Sequence, residues 1–314
     1  MDSNFKLFHT SNSASLTDTV ASVIDKEPGL LYAEKFSDGE VFVRFEESVR
    51  GKTVFILAQA NIPYENLFEL FIAIDAARRA SAKEIICIVP YLPHSRQERK
   101  DTERTSIASR LIADFIQQAG ANRLITLDLH SKSIEGFFKI PVDHLESHNL
   151  FVQHIVEHTT EDLCICSPDF GGLKRIKKYK KMLNCEMAVI HKERLQPNQV
   201  AHMEIIGDVN GKHVVIVDDI IDTAGTLCKA SEIIKEAGAK SIVAYCTHGL
   251  LSGNAIERIE DSALNKVYIT DSVSNDITSN KIEKLSCANL LAQAISVLVK
   301  NKSIKDLNED IIHR

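Results

Sequence analysis

The sequence predicts an α/β fold built from two doubly wound parallel sheets. Short, nearly continuous apolar runs, such as 84–90 (EIICIVP) and 214–217 (VVIV), alternate along the chain with segments of helical periodicity. Strands that are apolar on both faces are typical of parallel sheets covered by helices on both sides. The chain has 314 residues, enough for two cores of about 150 residues each. We therefore expect one domain over 1–146 and another over 147–314, with the C-terminal tail packing back on the N-terminal domain.

The predicted elements of the N-terminal half alternate between strand and helix. The second helix places Ile107, Leu111, Phe115 and Ile116 on one face, and Gly120 is a typical helix end. The predicted strands are 53–59, 84–90 and 123–130, and the predicted helices are 66–81 and 106–120.

The C-terminal half repeats this alternation without a low-complexity linker before it. Its predicted strands are 162–168, 186–191, 214–217, 241–248 and 266–270, and its predicted helices are 172–184, 226–237 and 254–260. Ligands of such sheets bind beyond the carboxyl ends of the strands, so the informative residues should lie there.

Composition and charge exclude some classes of function. The net charge is −6 and the 37 basic residues are spread along the chain, whereas a nucleic-acid-binding protein would usually show a basic surplus. No apolar stretch reaches the roughly 18 residues of a membrane span, and the N-terminus lacks the features of a signal peptide. We therefore expect no nucleic-acid partner, no membrane and a cytoplasmic protein.

The cysteines and one basic run have simple interpretations. The seven cysteines are an odd number and most lie in apolar runs, which indicates buried thiols in a reducing compartment. Cys164 and Cys166 share a predicted strand, and we expect their side chains on opposite faces and no metal pair. The run 173–181 (LKRIKKYKK) is interpreted as the solvated face of a helix, with anion binding as the alternative.

The stretch 214–227 (VVIVDDIIDTAGTL) has an order that a solvated loop would not need. The apolar strand runs directly into Asp218 and Asp219, and the turn 222–226 leads to a helix that we expect to begin near Thr226. Backbone N–H groups and the positive end of the dipole at such a helix start attract phosphate.

This stretch predicts a ribose 5-phosphate site. The helix start and the two threonine hydroxyls would hold the phosphate, and Gly225 would let the backbone approach closely. Carboxylates repel phosphate, so the acids should instead accept hydrogen bonds from two vicinal sugar hydroxyls. From spacing alone, the acids could also cap a helix or bind Mg²⁺, as in receiver-type domains. The candidate residues are Asp218, Asp219, Asp222, Thr223, Ala224, Gly225 and Thr226.

Two more sets of residues follow predicted strands. Arg96 and Arg99 bracket Gln97, and guanidinium groups suit a polyphosphate, although a solvated charge cluster is the alternative. His130 and Asp169 stand at strand ends, where an imidazole and a carboxylate could hold Mg²⁺ beside substrate phosphates or serve as structural polar residues.

Two polar segments complete the set. The segment 36–40 (FSDGE) is typical of a hairpin turn because of its Asp38-Gly39 pair. The segment 191–199 (HKERLQPNQ) follows a strand and is predicted to be a mobile loop.

The stretch 214–227 closely resembles the phosphoribosyl-diphosphate loop shared by type I phosphoribosyltransferases and ribose-phosphate pyrophosphokinases. Further segments resemble the second family in its order and spacing, and the resemblance covers nearly the whole chain. A phosphoribosyltransferase would typically supply one such domain, so the resemblance implies two phosphoribosyltransferase-like domains. The matching segments are 35–51, 75–82, 95–101, 127–145, 167–172 and 207–230.

The resemblance implies transfer of a diphosphoryl group from ATP to ribose 5-phosphate, with Mg²⁺ as the cofactor. It assigns ATP binding to the 95–101 segment and to an adenine pocket lined by a neighbouring subunit, and it assigns metal binding to His130 and Asp169. It also implies dimers assembled into hexamers, and a K-x-R pair on a flexible loop that closes over the transferring group. The matching residues are Arg96, Gln97 and Arg99 for ATP, Phe36, Asp38 and Glu40 for the adenine pocket, and Lys192 and Arg194 for the catalytic pair.

The chain departs from the family pattern in several places. Leu92, Pro93 and His94 replace aromatic and glycine residues, Glu98 replaces Asp, and Glu193 and Leu195 stand where Arg and Pro are common. The family's regulatory anion site is matched by Ser48, Arg50 and Arg104. Its serine-rich tail segment is altered to 303–314 (SIKDLNEDIIHR), where Lys305 replaces a serine and acidic residues follow.

Two rival functions remain at this point. A type I phosphoribosyltransferase would use the same loop but consume the product. A non-catalytic regulatory paralogue would be expected to lose Lys192 and Arg194 or to carry an insertion near them, and this chain keeps both residues without a visible insertion.

Overall fold

The computed structural model describes residues 5–158, 161–196 and 199–309, with side chains for all of these except 192–203 and 306. The chain forms two compact units. The first consists of Met1–Glu146, Ser272–Ser274 and Ser286–Asn308, and the second of Ser147–Asp271, Asn275–Leu285 and Glu309–Arg314. Both units contain a predominantly parallel sheet with helices, so the predicted α/β fold class is confirmed.

The helices and strands of the described residues have the following bounds. The strands are β1 (Phe5–His9), β2 (Leu31–Lys35), β3 (Val41–Phe45), β4 (Thr53–Leu57), β5 (Glu84–Ile88), β6 (Arg123–Leu127), β7 (Val142–Leu145), β8 (Leu163–Ser167), β9 (Glu186–Gln196), β10 (Gln199–Ile206), β11 (His213–Ile221), β12 (Ser241–Gly249), β13 (Lys266–Thr270) and β14 (Ile282–Leu285). The α-helices are α1 (Ala14–Val23), α2 (Glu65–Arg79), α3 (Ala108–Ala119), α4 (His148–His158), α5 (Leu173–Leu183), α6 (Gly225–Glu236), α7 (Ala255–Asp261) and α8 (Ala288–Val299).

The first unit is built on a five-stranded parallel sheet in the order β1-β4-β5-β6-β7. Successive residues of a strand point to opposite faces. Val54 and Ile56 accordingly join an apolar cluster with α2 and α3, whereas Phe55 and Leu57 join one with α1 and α8. The two-stranded antiparallel hairpin β2-β3 belongs to this unit as well.

The second unit is built on a seven-stranded sheet in the order β10-β9-β8-β11-β12-β13-β14. All neighbouring strands are parallel except β9 and β10. Val214 and Ile216 face a cluster with α6 and α7, and Val215 and Val217 face one with α4 and α5.

Several predicted elements differ from the observed ones. Strand β11 continues to Ile221, so Asp218 and Asp219 lie within the strand and do not follow it. Strand β9 runs through Gln196 and pairs with the antiparallel β10, where a loop over 191–199 was predicted. The predicted strand 123–130 ends at Leu127. The helix predicted to begin near Thr226 begins at Gly225.

The prediction that the side chains of the two cysteines of β8 lie on opposite faces was wrong. Residues two apart in a strand share a face, and Cys164 and Cys166 both lie in the apolar cluster that contacts α6 and α7. Burial raises the pKa of both thiols, so they are neutral core side chains. All seven cysteines are free thiols.

The helices were compared with the requirements of a membrane span. Among the helices of the described residues, none combines the length and the apolar character that a bilayer span requires.

Candidate active site

Asp218 and Asp219 are held by a cation from a neighbouring helix. Arg175, in the first turn of α5, donates from Nη1 to Oδ1 of Asp218 over 2.9 Å and from Nη2 to Oδ1 of Asp219 over 2.8 Å. The backbone N–H of Asp219 also donates to Asp218 Oδ1 over 2.9 Å. The Asp218 side chain is 32% exposed and that of Asp219 is 7% exposed. We call these two residues the acid pair.

The surroundings of the acid pair shift the pKa of Asp218. Burial and the neighbouring Asp219 charge raise the pKa of the Asp218 carboxyl, whereas the Arg175 guanidinium lowers it. The net direction is upward, to about 7. Desolvation and like-charge repulsion therefore outweigh the attraction of Arg175.

The turn 222–226 after β11 is anchored through its backbone. The Ile221 carbonyl accepts hydrogen bonds from the N–H groups of Leu250 and Leu251 over 2.8 and 3.2 Å. The Asp222 carbonyl accepts one from the Ser252 N–H over 2.9 Å. The Thr223 carbonyl accepts one from Arg258 Nη1 over 2.9 Å. These bonds occupy carbonyl groups at the base of the turn and fix its path to α6.

The residue of this turn with a left-handed backbone is Ala224 and not Gly225. Ala224 adopts the left-handed region with φ 60°, whereas Gly225 begins the helix. A Cβ built on Gly225 would lie 3.9 Å from Thr223 Oγ1 and 4.0 Å from Arg258 Nη1, which are ordinary contacts. The protein itself thus has room for a Cβ at Gly225.

Asp169 lies beyond the carboxyl end of β8 in an exposed position. Its Oδ1 accepts a hydrogen bond from the Gly172 N–H over 3.2 Å, and its carbonyl accepts one from Ser167 Oγ over 2.7 Å. A Cβ on Gly172 would clash with Ser167 Oγ and lie 3.5 Å from Arg175 Nη1. A side chain at 172 would therefore force the Ser167 hydroxyl to move, and that hydroxyl holds the Asp169 carbonyl.

The candidate ATP residues of the first unit lie in the loop after β5. Arg96, Gln97 and Arg99 are exposed. The Gln97 N–H donates to the His94 carbonyl over 2.9 Å, and Arg99 Nε donates to Asp101 Oδ1 over 2.9 Å. The His94 carbonyl also accepts a bond from Ser109 Oγ at the start of α3 over 2.7 Å.

The segment Leu92–His94, where the chain departs from the family pattern, is well packed. Leu92 is buried, and the His94 ring stacks on the Tyr64 ring with centroids 5.8 Å apart. Glu98 accepts a hydrogen bond from Ser133 Oγ over 3.0 Å, so the loop after β5 contacts the segment after β6.

His130 lies three residues beyond the end of β6 and is exposed. The preceding residue, Leu129, donates its N–H to Nε2 of His144 over 2.9 Å. Because His144 Nε2 accepts this bond, its Nδ1 must be the donor to Glu135 Oε1, at 2.8 Å. The His144 side chain is 8% exposed. It thus holds the backbone that leads into His130.

The C-terminal tail contacts β7, the strand that contains His144. Asn308 accepts the Glu146 N–H over 3.0 Å and donates to the His144 carbonyl over 2.8 Å, as a neighbouring strand would do. Lys305 and its neighbours form a short 3₁₀ turn over Ile304–Asn308. The altered tail is therefore docked on β7 up to Asn308.

The candidate adenine residues form the turn of the hairpin β2-β3, as predicted. Asp38 Oδ1 accepts the Glu40 N–H over 3.0 Å, and Gly39 has φ 93°. Phe36 is 49% exposed. The turn therefore presents an aromatic ring and two acids to the surroundings.

The remaining predicted residues are those of the candidate anion site and of the candidate catalytic pair. Ser48, Arg50 and Arg104 are exposed in the first unit. The backbone of Lys192 and Arg194 belongs to β9, opposite Met203 and Val200 of β10, and the side chains of this pair lie outside the described ones.

Sequence reasoning missed two residues, Arg175 and His144. Arg175 lies in the run 173–181, which was interpreted as a solvated face. A usable signal was its place in the first helical turn, where a cation opposes the helix dipole. His144 lies in a strand of four residues, which is too short for a clear periodic pattern.

Comparisons with known proteins agree with this geometry. The family model described as the N-terminal domain of ribose phosphate pyrophosphokinase matches residues 5–120, and the phosphoribosyl synthetase-associated domain matches residues 194–308. Ribose-phosphate pyrophosphokinase of Porphyromonas gingivalis is 42% identical over 307 residues, which is 98% of each chain. Ribose-phosphate pyrophosphokinase 2 of Enterococcus faecalis is 42% identical over 313 residues, covering 98% of this chain and 97% of the other.

A solved structure is similar over nearly the same extent. The crystal structure of phosphoribosylpyrophosphate synthetase from Mycobacterium smegmatis has a TM-score of 0.90 at 38% identity, covering 95% of this chain and 99% of that chain. With full-length identity at this level, and with both halves matched by family models, the chain belongs to the ribose-phosphate pyrophosphokinase family of enzymes.

Proposed function

We propose that this enzyme transfers the diphosphoryl group of ATP to ribose 5-phosphate, and that the product, 5-phospho-α-D-ribose 1-diphosphate, serves nucleotide biosynthesis. The observation that carries the proposal is the acid pair of β11 followed by the turn 222–226 and the start of α6. Full-length similarity to ribose-phosphate pyrophosphokinases supports it.

The ribose side of the proposal follows from charge and geometry. The start of α6 supplies N–H groups and a positive dipole end for the 5-phosphate, and Thr223 and Thr226 add hydroxyl donors. The acid pair accepts hydrogen bonds from the vicinal sugar hydroxyls. Asp222 and Ala224 shape the turn between these two halves of the site.

The nucleotide side is assigned to the first unit. The exposed guanidinium groups of Arg96 and Arg99, with Gln97 between them, bind the polyphosphate. The hairpin turn supplies Phe36 to stack on adenine and Asp38 and Glu40 to accept hydrogen bonds. His144 accepts the N–H of Leu129 and so holds the backbone that leads into His130.

We propose Mg²⁺ as the cofactor, held by His130 and Asp169. Both side chains are exposed, and Mg²⁺ usually keeps several waters and binds one or two protein ligands together with substrate phosphates. Among the described residues no cluster of three or more His, Cys, Asp or Glu side chains converges. When bound, the cation would neutralise phosphate charge in the transition state.

The transfer step needs little covalent chemistry from the protein. The O1 oxygen of ribose 5-phosphate attacks the β-phosphorus of ATP. The bond between the β-phosphorus and the oxygen that links it to the α-phosphorus breaks, AMP leaves with that oxygen, and the O1 proton is released. We assign Lys192 and Arg194 to the charge that develops on the transferring group, because a loose phosphoryl transition state is stabilised mainly by positioning and cations.

We also propose a homo-oligomer, with dimers assembled into hexamers, in the cytoplasm. Helices α2 and α3 carry a contiguous aromatic patch in which Phe68 is 58% and Phe115 is 45% exposed, and Phe71 contacts both rings. Exposed apolar patches are typical of protein–protein contacts. The free cysteines fit a reducing compartment. Light scattering of the purified protein tests the assembly, and cell fractionation tests the location.

A coupled assay decides the function. The protein is incubated with ATP, ribose 5-phosphate and Mg²⁺, and AMP and the diphosphorylated sugar are measured. Formation of both products in equal amounts is expected. A protein that instead consumes the diphosphorylated sugar with a nucleobase would be a phosphoribosyltransferase, and one that binds ligands without turnover would be a regulatory paralogue.

A further inference from the structure

Arg175 reaches both members of the acid pair at once. Its side chain is 29% exposed, and its two terminal nitrogens bind one carboxylate each, at 2.9 and 2.8 Å. Consecutive residues of a regular strand point to opposite faces. The carboxylates of Asp218 and Asp219 nevertheless approach one guanidinium, whose rigid fork suits two acceptors at a fixed spacing.

The position of Arg175 is not explained by the stability of its own helix. It occupies the first turn of α5, where the positive end of the helix dipole disfavours a cation. Its neighbours Lys174 and Lys177 are exposed, whereas Arg175 is partly buried against β11. The attraction of the two carboxylates offsets both the dipole and the loss of solvent.

The chain leading into α5 is built to accommodate this contact. Asp169 caps the turn that precedes the helix, and Gly172 follows with no room for a Cβ beside Ser167. That Cβ would also lie 3.5 Å from Arg175 Nη1. A side chain at 172 would thus crowd Arg175 Nη1 and break the bond from Ser167 Oγ to the Asp169 carbonyl in the turn before α5.

We propose that Arg175 is a positioning residue of the ribose 5-phosphate site, which holds the two carboxylates side by side for the vicinal hydroxyls of the sugar. The proposal rests on the proposed function. Without the guanidinium, the two carboxylates repel one another and separate, so they no longer present two acceptors to neighbouring hydroxyls. Arg175 neutralises only one of the two negative charges of the ionised acid pair. The remaining negative charge attracts the hydroxyl donors of the sugar.

The test compares three variants by calorimetry with ribose 5-phosphate and with ATP separately. Arg175→Met removes the charge and the fork, and Arg175→Lys keeps the charge but cannot bridge two carboxylates. Lys177→Met is the matched control on the same helix, because Lys177 is exposed. Loss of paired, charge-assisted hydrogen bonds should weaken binding of ribose 5-phosphate about 10- to 100-fold in Arg175→Met, with a smaller loss in Arg175→Lys and none in the control.

A second readout separates positioning from general damage. The groups that face the Asp218 carboxyl are Asp219 on its own strand, Arg175 from α5 and the Cys246 thiol opposite it on β12, whose pKa is raised by burial so that it stays neutral. Removing Arg175 should move the pH at which ribose 5-phosphate affinity is lost to a higher value. A purely structural role would leave that midpoint unchanged.

The possible outcomes separate the proposed function from the role of Arg175. A wild-type protein that does not bind ribose 5-phosphate overturns the proposed function. A wild-type protein that binds it, with folded Arg175 variants that bind it equally well, overturns only the role of Arg175. Equal losses of ribose 5-phosphate and ATP binding also overturn it. If Arg175→Met does not fold, Arg175→Lys decides through its affinity and its pH midpoint.

Discussion

Lys192 and Arg194 are assigned a catalytic role because they match the K-x-R pattern of the family. Their backbone lies in β9, which extends beyond its predicted end. If their charges act on the diphosphoryl group during transfer, they contribute mainly in the transition state. We expect Lys192→Ala and Arg194→Ala each to lower kcat by about 10²- to 10³-fold, with a much smaller rise in the KM for ribose 5-phosphate. Steady-state kinetics check this, and a change confined to KM would remove the pair from the catalytic role.

The raised pKa of Asp218 predicts that the affinity for ribose 5-phosphate depends on pH. The pKa of Asp218 is raised to about 7, so the carboxylate is ionised above this pH and becomes protonated as pH falls. An ionised carboxylate accepts hydrogen bonds, whereas the protonated one loses acceptor capacity. Ribose 5-phosphate binding should weaken about tenfold from pH 8 to pH 6, while ATP binding depends less on pH.

Calorimetry across this range tests that prediction. Asp218→Asn is the control, because its amide does not titrate. The control should bind weakly at all pH values, and its residual slope reports the ionisation of the sugar phosphate alone. If the wild type and the control have the same slope, Asp218 is not the titrating acceptor.

At the scale of an element, two glycines at helix starts have opposite requirements. Gly172 has no room for a Cβ, whereas Gly225 has ordinary contacts around it. Gly172→Ala should lower the melting temperature, because overpacking typically costs about 1–3 kcal/mol. Gly225→Ala should melt near the wild type but raise the KM for ribose 5-phosphate, since its new methyl would occupy the space before α6. Thermal unfolding and kinetics of both variants check this; equal melting losses would contradict the assignment of space to the ligand.

The whole molecule determines whether the hairpin turn serves its own chain or a neighbour. If Asp38 completes the adenine pocket of another subunit, Asp38→Ala and Lys192→Ala should each be nearly inactive alone. Mixed oligomers then contain some sites with both residues intact. In randomly exchanged dimer pairs, about a quarter of the wild-type activity should return.

The mixing experiment needs subunit exchange, so each variant is dissociated and reassembled both alone and with the other. Recovery only in the mixed sample is expected. If exchange is verified by differently tagged chains and no activity returns, the hairpin turn serves its own subunit.

Regulation is the second property of the assembled molecule. Ser48, Arg50 and Arg104 are the candidate anion site, and the tail sequence has Glu309 and further polar residues after Asn308. Carboxylates near an anion site weaken phosphate binding through repulsion. We therefore expect weak activation by phosphate and shallow inhibition by ADP. Activity measured without phosphate and then titrated checks this, and strong activation from a nearly inactive baseline would show that the altered tail has no such effect.

The fold class was predicted correctly from the amino-acid pattern, and the same pattern gave the prediction of a sugar-phosphate site. Apolar runs such as 214–217 predicted buried parallel strands because helices cover both faces of such sheets. The acids, threonines and glycine over 218–226 predicted a sugar-phosphate site, although spacing alone left helix capping or Mg²⁺ binding open for the acids. Boundaries were less well predicted: the extension of β11 through Asp218 and Asp219, and of β9 to Gln196, depends on pairing with neighbouring strands.

The contacts between residues far apart in the chain became visible only in the folded structure. Arg175 lies 43 residues before Asp218, and its place in the first turn of its helix did not by itself show that it contacts β11. His144 receives the N–H of Leu129 because β6 and β7 are neighbours, and Asn308 reaches β7 from the far end of the chain. Local patterns record which residues are apolar or charged. Contacts between elements depend on how sheets and helices pack, and a single sequence does not record that packing.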